Sequence, residues 1–289
     1  MNRIPFLDAI RGILASVVVA HHILMWEGLN VLDGVAALAV CCFFILSGYV
    51  LARGYDGNVL AFFVRRFIRL WPVYAVCLTS GYLLYGDSPT WQELIWWPTP
   101  RLQSLAKIDL PAWTLYIEAW ATPLLPVLVW IARWNRIAAL AVSTSLFVVS
   151  LFMMDGIYVS IVYFAFFAIG IACSQFELSL PDTAPPLALW LGRIGYSLFL
   201  SHWVVLTGLF MVLGRWAVLP AVPAIFVVAF GVWWAIERPS IRVSRQVGAT
   251  FRRLKIDPKN IPNPKAMAGA NLEEIGGALE EIDYSTLSR

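Results

Sequence analysis

Of 289 residues, 60% are hydrophobic and only 13% are charged, about half the charge density of a soluble domain. The composition excludes an ordinary soluble fold; the net charge of +3 is small and by itself says nothing about nucleic acid, and no nucleic-acid partner is expected. The apolar residues instead fall in runs of about 18 or more, the pattern of membrane-spanning helices.

In chain order these runs predict an all-α, polytopic bundle of eight spans: Phe6–Trp26, Val35–Ala52, Phe62–Tyr85, Trp113–Ile131, Ile137–Met154, Ile157–Ser174, Ile194–Leu213 and Ala217–Ile236. The first carries Arg11 and two histidines and no small-residue cleavage site, so it reads as an uncleaved anchor. Threading the spans from a cytoplasmic N-terminus puts 17 lysines and arginines on the inner side. Only Arg101, Lys107 and Arg215 fall outside, and Arg11 lies within the first span. That bias predicts cytoplasmic termini and a multi-pass protein of the cell inner or plasma membrane. Residues 1–242 form the transmembrane domain, and 243–289 a flexible tail, basic and then acidic. The four cysteines have no CxxC or His/Cys metal spacing, which gives no metal site and reads as small residues in packed helices.

Charged or titratable groups in hydrocarbon cost a few kcal/mol, so they are the sharpest clues. In "LDAIRGILASVVVAHHIL" a helical advance of about 100° per residue puts Arg11, Ala15, Val18 and His22 on one stripe, with His21 about 80° aside. Eleven residues rise roughly 16 Å, so Arg11 lies toward the inner end and His22 toward the outer. In the second span Ser47 and Gly48 interrupt bulky residues, a place for close approach of a helix or ligand. In "FFVRRFIRLWPVY" Arg65 and Arg69 are four apart on one face. Their planar forks suit phosphate oxygens, although plain positive-inside anchoring reads equally from the motif. Glu118, in "PAWTLYIEAW", is expected roughly 7 Å below the outer edge, level with His22. A carboxylate reaching that imidazole orients it. The late stretch "LGRIGYSLFLSHWVV" adds Tyr196, Ser197, Ser201 and His202. Glu237 and Arg238 close the last span as a local ion pair.

Together these segments resemble the acyltransferase 3 family of integral membrane acyltransferases, which O-acylate carbohydrates. "LDAIRGILASVVVAHH" is similar to its first-helix Arg-then-His signature. "FFILSGYVL", "VRRFIRLWPVY", "AWTLYIEAW", "LGRIGYSLFLSHW" and "ERPSIR" resemble five further motifs in the family's order, with Thr114 where the family has Ser. The family has about ten spans against eight here, the shortening falling between Trp134 and Leu187. The resemblance implies an O-acyltransferase with no bound cofactor. It takes an acyl-CoA, acetyl-CoA foremost, as donor, and a carbohydrate hydroxyl, free or lipid-linked, as acceptor. His22 is then the general base or a transient acyl acceptor, with Glu118 orienting it. Arg65 and Arg69, with Ser47 and Gly48, hold the donor, and Arg11, counted with His22 and Glu118 as catalytic, lines the pantetheine path or steadies the thioester carbonyl. Trp113, Tyr196, Ser197 and His202 complete the cavity. A small transporter or flippase, or a non-catalytic relative that binds a partner, are the alternatives; the first expects internal repeats, and none is visible.

Overall fold

The computed structural model describes residues 4–89, 108–109, 111–150 and 157–253. All of the regular structure among them is helical, as backbone buried in hydrocarbon requires, because each N–H and C=O must be satisfied within its own segment. Nine helices follow in order: α1 (Pro5–Trp26), α2 (Asp33–Gly54), α3 (Val59–Leu84), α4 (Ala112–Trp134), α5 (Arg136–Ser150), α6 (Ile157–Cys173), α7 (Pro186–Leu213), α8 (Val218–Val232) and α9 (Arg238–Arg253).

Helices α1 to α4, and the continuous run that opens with α7, are long and apolar enough to cross a membrane. Helices α5 and α6 are shorter apolar helices among the described residues. Within the long run, α7 ends at Gly214, whose φ of 55° breaks the helix before a 3-10 turn at Gly214–Ala217. Arg101, Lys107, residues 151–154 of the fifth expected span and the acidic tail lie outside the described residues.

Two close helix pairs organise the bundle. Helices α1 and α7 run parallel: Gly12 faces Gly192, His22 faces His202, and Trp26 stacks on Phe210. A Cβ at Gly12 would fall on the Leu191–Gly192 backbone, and one at Gly192 on Asp8, so the missing side chains let the two backbones touch. Helices α2 and α6 repeat the device, with Gly48 against Phe167 and Gly170 against Ile45. Helix α3 joins the first pair through Tyr196, whose hydroxyl donates to Leu70 O at 2.9 Å.

By its contacts the chain divides into two units, Met1–Val247 and Gly248–Arg289. In the first, a π-helical turn at Trp233–Glu237 links α8 to α9. The strongly amphipathic α9 carries Arg238, Arg242 and Arg245 on its exposed side and buries Ser240 and Ser244. Ser244 donates to Arg65 O at 2.7 Å, tying α9 to the start of α3. Helix thus continues to Arg253, beyond residue 242, where the sequence places the start of a flexible tail.

Candidate active site

Two polar clusters are strung along α1. The first joins α1 to α7. His22 is 7% exposed and His202 fully buried. Their rings are stacked with centroids 5.1 Å apart, and His22 Nδ1 lies 2.8 Å from His202 Nε2. The other nitrogen of His202, Nδ1, is 3.1 Å from Leu198 O, one turn back on α7. His22 Nε2 has no hydrogen-bond partner among the described residues. The edge of Trp203 meets the His22 ring at 5.2 Å. Trp203 Nε1, Ser201 Oγ and Thr207 Oγ1 are buried without a partner among the described residues. Buried donors are rarely left unsatisfied, so these three are the unspent polar groups on this stretch of α7 among the described residues. His21 turns aside, as its phase requires, and approaches Asp33 of α2 at 3.4 Å.

The second cluster sits about 16 Å along α1 from His22, at the level of Arg11. Glu118 of α4 accepts from Ser47 Oγ of α2 at 2.8 Å and forms an ion pair with Arg66 of α3. Arg11, Ser47 and Arg66 lie six or seven residues from the ends of α1, α2 and α3, about 10 Å in from one face of the bundle. Arg11 sits within the field of Arg69, Glu118, Asp8 and Arg66. Neither Arg11 nor Arg69 has a hydrogen-bond or ion-pair partner among the described residues. Three arginines around two carboxylates, Glu118 and Asp8, leave cationic capacity unspent, an arrangement suited to phosphate oxygens.

This arrangement corrects several expectations. Glu118 is not level with His22 and does not orient it, because its contacts are Ser47 and Arg66. The physical reason lies before α4. Ile108 already packs against Gly81, and Asp109 is buried beside Cys77. The chain has therefore descended along α3 before α4 begins, and Glu118 arrives deeper than a span starting at the edge allows. Arg65 is engaged locally, donating from Nε to Ala61 O at 3.1 Å and approaching Asp56 at 3.5 Å. Its neighbour Arg66 holds Glu118, and Arg69 stands exposed one turn on.

Gly48, expected at the donor, is instead filled against Phe167 by helix packing. Ser197, expected in a cavity, is fully buried. Its Oγ and backbone N–H donate to Glu237 Oε2 at 2.6 and 3.2 Å. Tyr196 is spent on Leu70 O, and Trp113 packs on Tyr163 with ring centroids 4.9 Å apart. Glu237 therefore anchors α7 from the π-turn, while the Arg238 guanidinium lies over the Trp233 ring at 5.8 Å.

Sequence reasoning missed Arg66, Trp203 and Asp109 as polar groups of interest. For Arg66 the signal was its i,i+3 spacing to Arg69, which shares a face as readily as i,i+4. Asp109 is fully buried without a partner among the described residues. Burial pushes its carboxyl well above the usual carboxylate range, because the charged form loses its hydration.

A helical membrane protein with an imidazole pair at one depth and an arginine cluster at another is the class that the fold and site define. A family model described as an acyltransferase domain matches residues 4–187. The chain belongs to this acyltransferase 3 family. It is 30% identical over 144 residues to "Acyltransferase MdmB" of Streptomyces mycarofaciens, covering 40% of this chain and 36% of that protein. It is 39% identical over 92 residues to "Protein 2 in picA locus" of Rhizobium radiobacter, covering 29% of this chain and 47% of that protein. The chain thus spans between a third and a half of the length of these curated relatives. No solved structure matches.

Proposed function

We propose that this chain is a multi-pass acyltransferase of the cell inner or plasma membrane. It moves an acyl group, acetyl foremost, from acyl-CoA to a hydroxyl of a carbohydrate, free or lipid-linked. One observation carries the reading: a His22 imidazole nitrogen and the Arg11 guanidinium, both without a partner among the described residues, lie on one helix about 16 Å apart, with Arg69 of α3 beside Arg11. The arm of coenzyme A between its phosphate and its sulfur is a chain of about thirteen atoms. Extended covalent chains reach 3.3–3.6 Å per three bonds, so such an arm spans roughly 15 Å. A donor with its phosphates at Arg69 and Arg11 then delivers its thioester to the neighbourhood of His22.

In this reading His22 Nε2 takes the proton of the acceptor hydroxyl as its oxygen attacks the thioester carbonyl. The carbon–sulfur bond breaks, the thiolate leaves, and the imidazolium returns the proton to sulfur. The ester and free coenzyme A are the products. Trp203 Nε1–H, an unspent donor beside His22, is suited to the oxyanion or to the acceptor hydroxyl. Glu118 holds Arg66 in place and touches no reacting atom.

The experiment is transfer of radiolabelled acetyl from acetyl-CoA to glycans of membranes containing the protein. Mass spectrometry of surface glycans with and without the gene runs alongside it. A label on glycan and a mass shift of one acyl group are expected. Movement of unmodified glycan without label transfer contradicts the reading and favours a transporter.

A further inference from the structure

We infer that His202 is a positioning residue that fixes His22 in the tautomer with its proton on Nδ1 and so makes Nε2 the reacting nitrogen. The inference deepens the reading of His22 as the base and rests on it. A carbonyl oxygen can only accept a hydrogen bond. Leu198 O, 3.1 Å from His202 Nδ1, therefore requires that nitrogen to carry the proton. In a neutral ring the second nitrogen, Nε2, is then bare and can only accept. It lies 2.8 Å from His22 Nδ1, so His22 must donate from Nδ1, and its own Nε2 keeps a free lone pair. The polarity of the whole chain is set by the backbone of α7, where Leu198 O and the Phe199 backbone both face the His202 ring.

The same chain serves the reaction. When His22 Nε2 takes up the acceptor's proton, Nδ1–H keeps donating to His202, which stabilises the imidazolium and holds its plane. This is the task that a carboxylate performs behind the histidine of a hydrolase triad, carried here by a neutral ring. Full burial of His202 and the parallel register of α1 and α7, locked at Gly12 and Gly192, keep the two nitrogens at bonding distance.

Two measurements test it. The chain has only three histidines, so nitrogen-15 spectra of labelled protein can be assigned by substituting each in turn. Neutral His22 protonated at Nδ1 is expected in the resting protein. A His22 proton on Nε2 overturns the inference. In the transfer assay His202→Leu is expected to lower kcat on the order of 10²-fold or more, the size of a lost general base, with the donor KM unchanged. His202→Gln places an amide oxygen where Nε2 stood and should recover most of kcat. Full kcat in His202→Leu, or equal loss in both variants, overturns the inference. Should the leucine protein fail to fold, the wild-type spectrum and the glutamine variant decide it. His22→Ala is run beside them. Near-normal transfer from that variant overturns the base reading itself, whereas the spectrum tests the proton's position without any turnover.

Discussion

The two polar clusters of α1 solve the problem of polarity in an apolar bundle differently. Around Arg11 the charges are real, and they are matched across helices: Glu118 binds Ser47 and Arg66. Around His22 the polar groups are neutral, and they are matched in series, His22 to His202 to Leu198 O. Ion pairing tolerates an excess, and Arg11 and Arg69 are left to attract an anion. The series of neutral donors and acceptors ends in a bare His22 nitrogen, with Trp203 Nε1–H unspent beside it. The first arrangement suits a charged ligand that arrives from water; the second suits a proton in transit.

Substitutions at the two ends should separate these roles, and the imidazole end should give the largest effect. His22→Ala removes the bare nitrogen and should cost about 10²–10⁴-fold in kcat, the range of a general base, with protein level unchanged. Retained transfer would break the distinction between the clusters. Glu118→Leu should act on stability first. Taking one partner from a fully buried ion pair costs about 3–5 kcal/mol, an upper bound for this partly exposed pair, to be read as a lower thermal midpoint in detergent. An unaltered midpoint would mean that Arg66 re-pairs freely. Arg69→Ala should raise the donor KM by about tenfold or more, as expected for one charge-assisted contact of about 1.5–3 kcal/mol, and leave kcat alone. Tyr196→Phe belongs to neither cluster. Losing its bond to Leu70 O should cost about 0.5–1.5 kcal/mol of stability with no change in KM, which makes it the control for packing effects on α7.

Much of this was legible in the chain. Helices α1 to α4 and α6 to α8 follow from apolar runs, and the stripe joining Arg11 to His22 follows from helical phase. His21 turning toward α2 follows from the same phase. What failed was depth and partnership between helices. Counting inward from a membrane edge put Glu118 beside His22, because nothing in "PAWTLYIEAW" reveals that Ile108 and Asp109 are already packed along α3. Periodicity could not decide whether Arg65 or Arg66 faces the bundle, since either shares a face with Arg69. That choice is made by Glu118, on another helix. The His22–His202 bond joins residues 180 positions apart, and only the parallel seating of α1 on α7 brings them together. Gly48 shows the same limit. A small residue admits a ligand or a helix alike, and Phe167 took the space.

The most direct test of two clusters serving one donor compares two ligands on two proteins. Binding of acetyl-CoA and of S-acetyl-pantetheine, which lacks the nucleotide and all phosphates, is measured by calorimetry on wild type and on Arg69→Ala. The expected result is at least about a tenfold loss of acetyl-CoA affinity on substitution and no change for S-acetyl-pantetheine. An equal loss for both ligands, or none for either, would contradict a phosphate site at the arginine cluster.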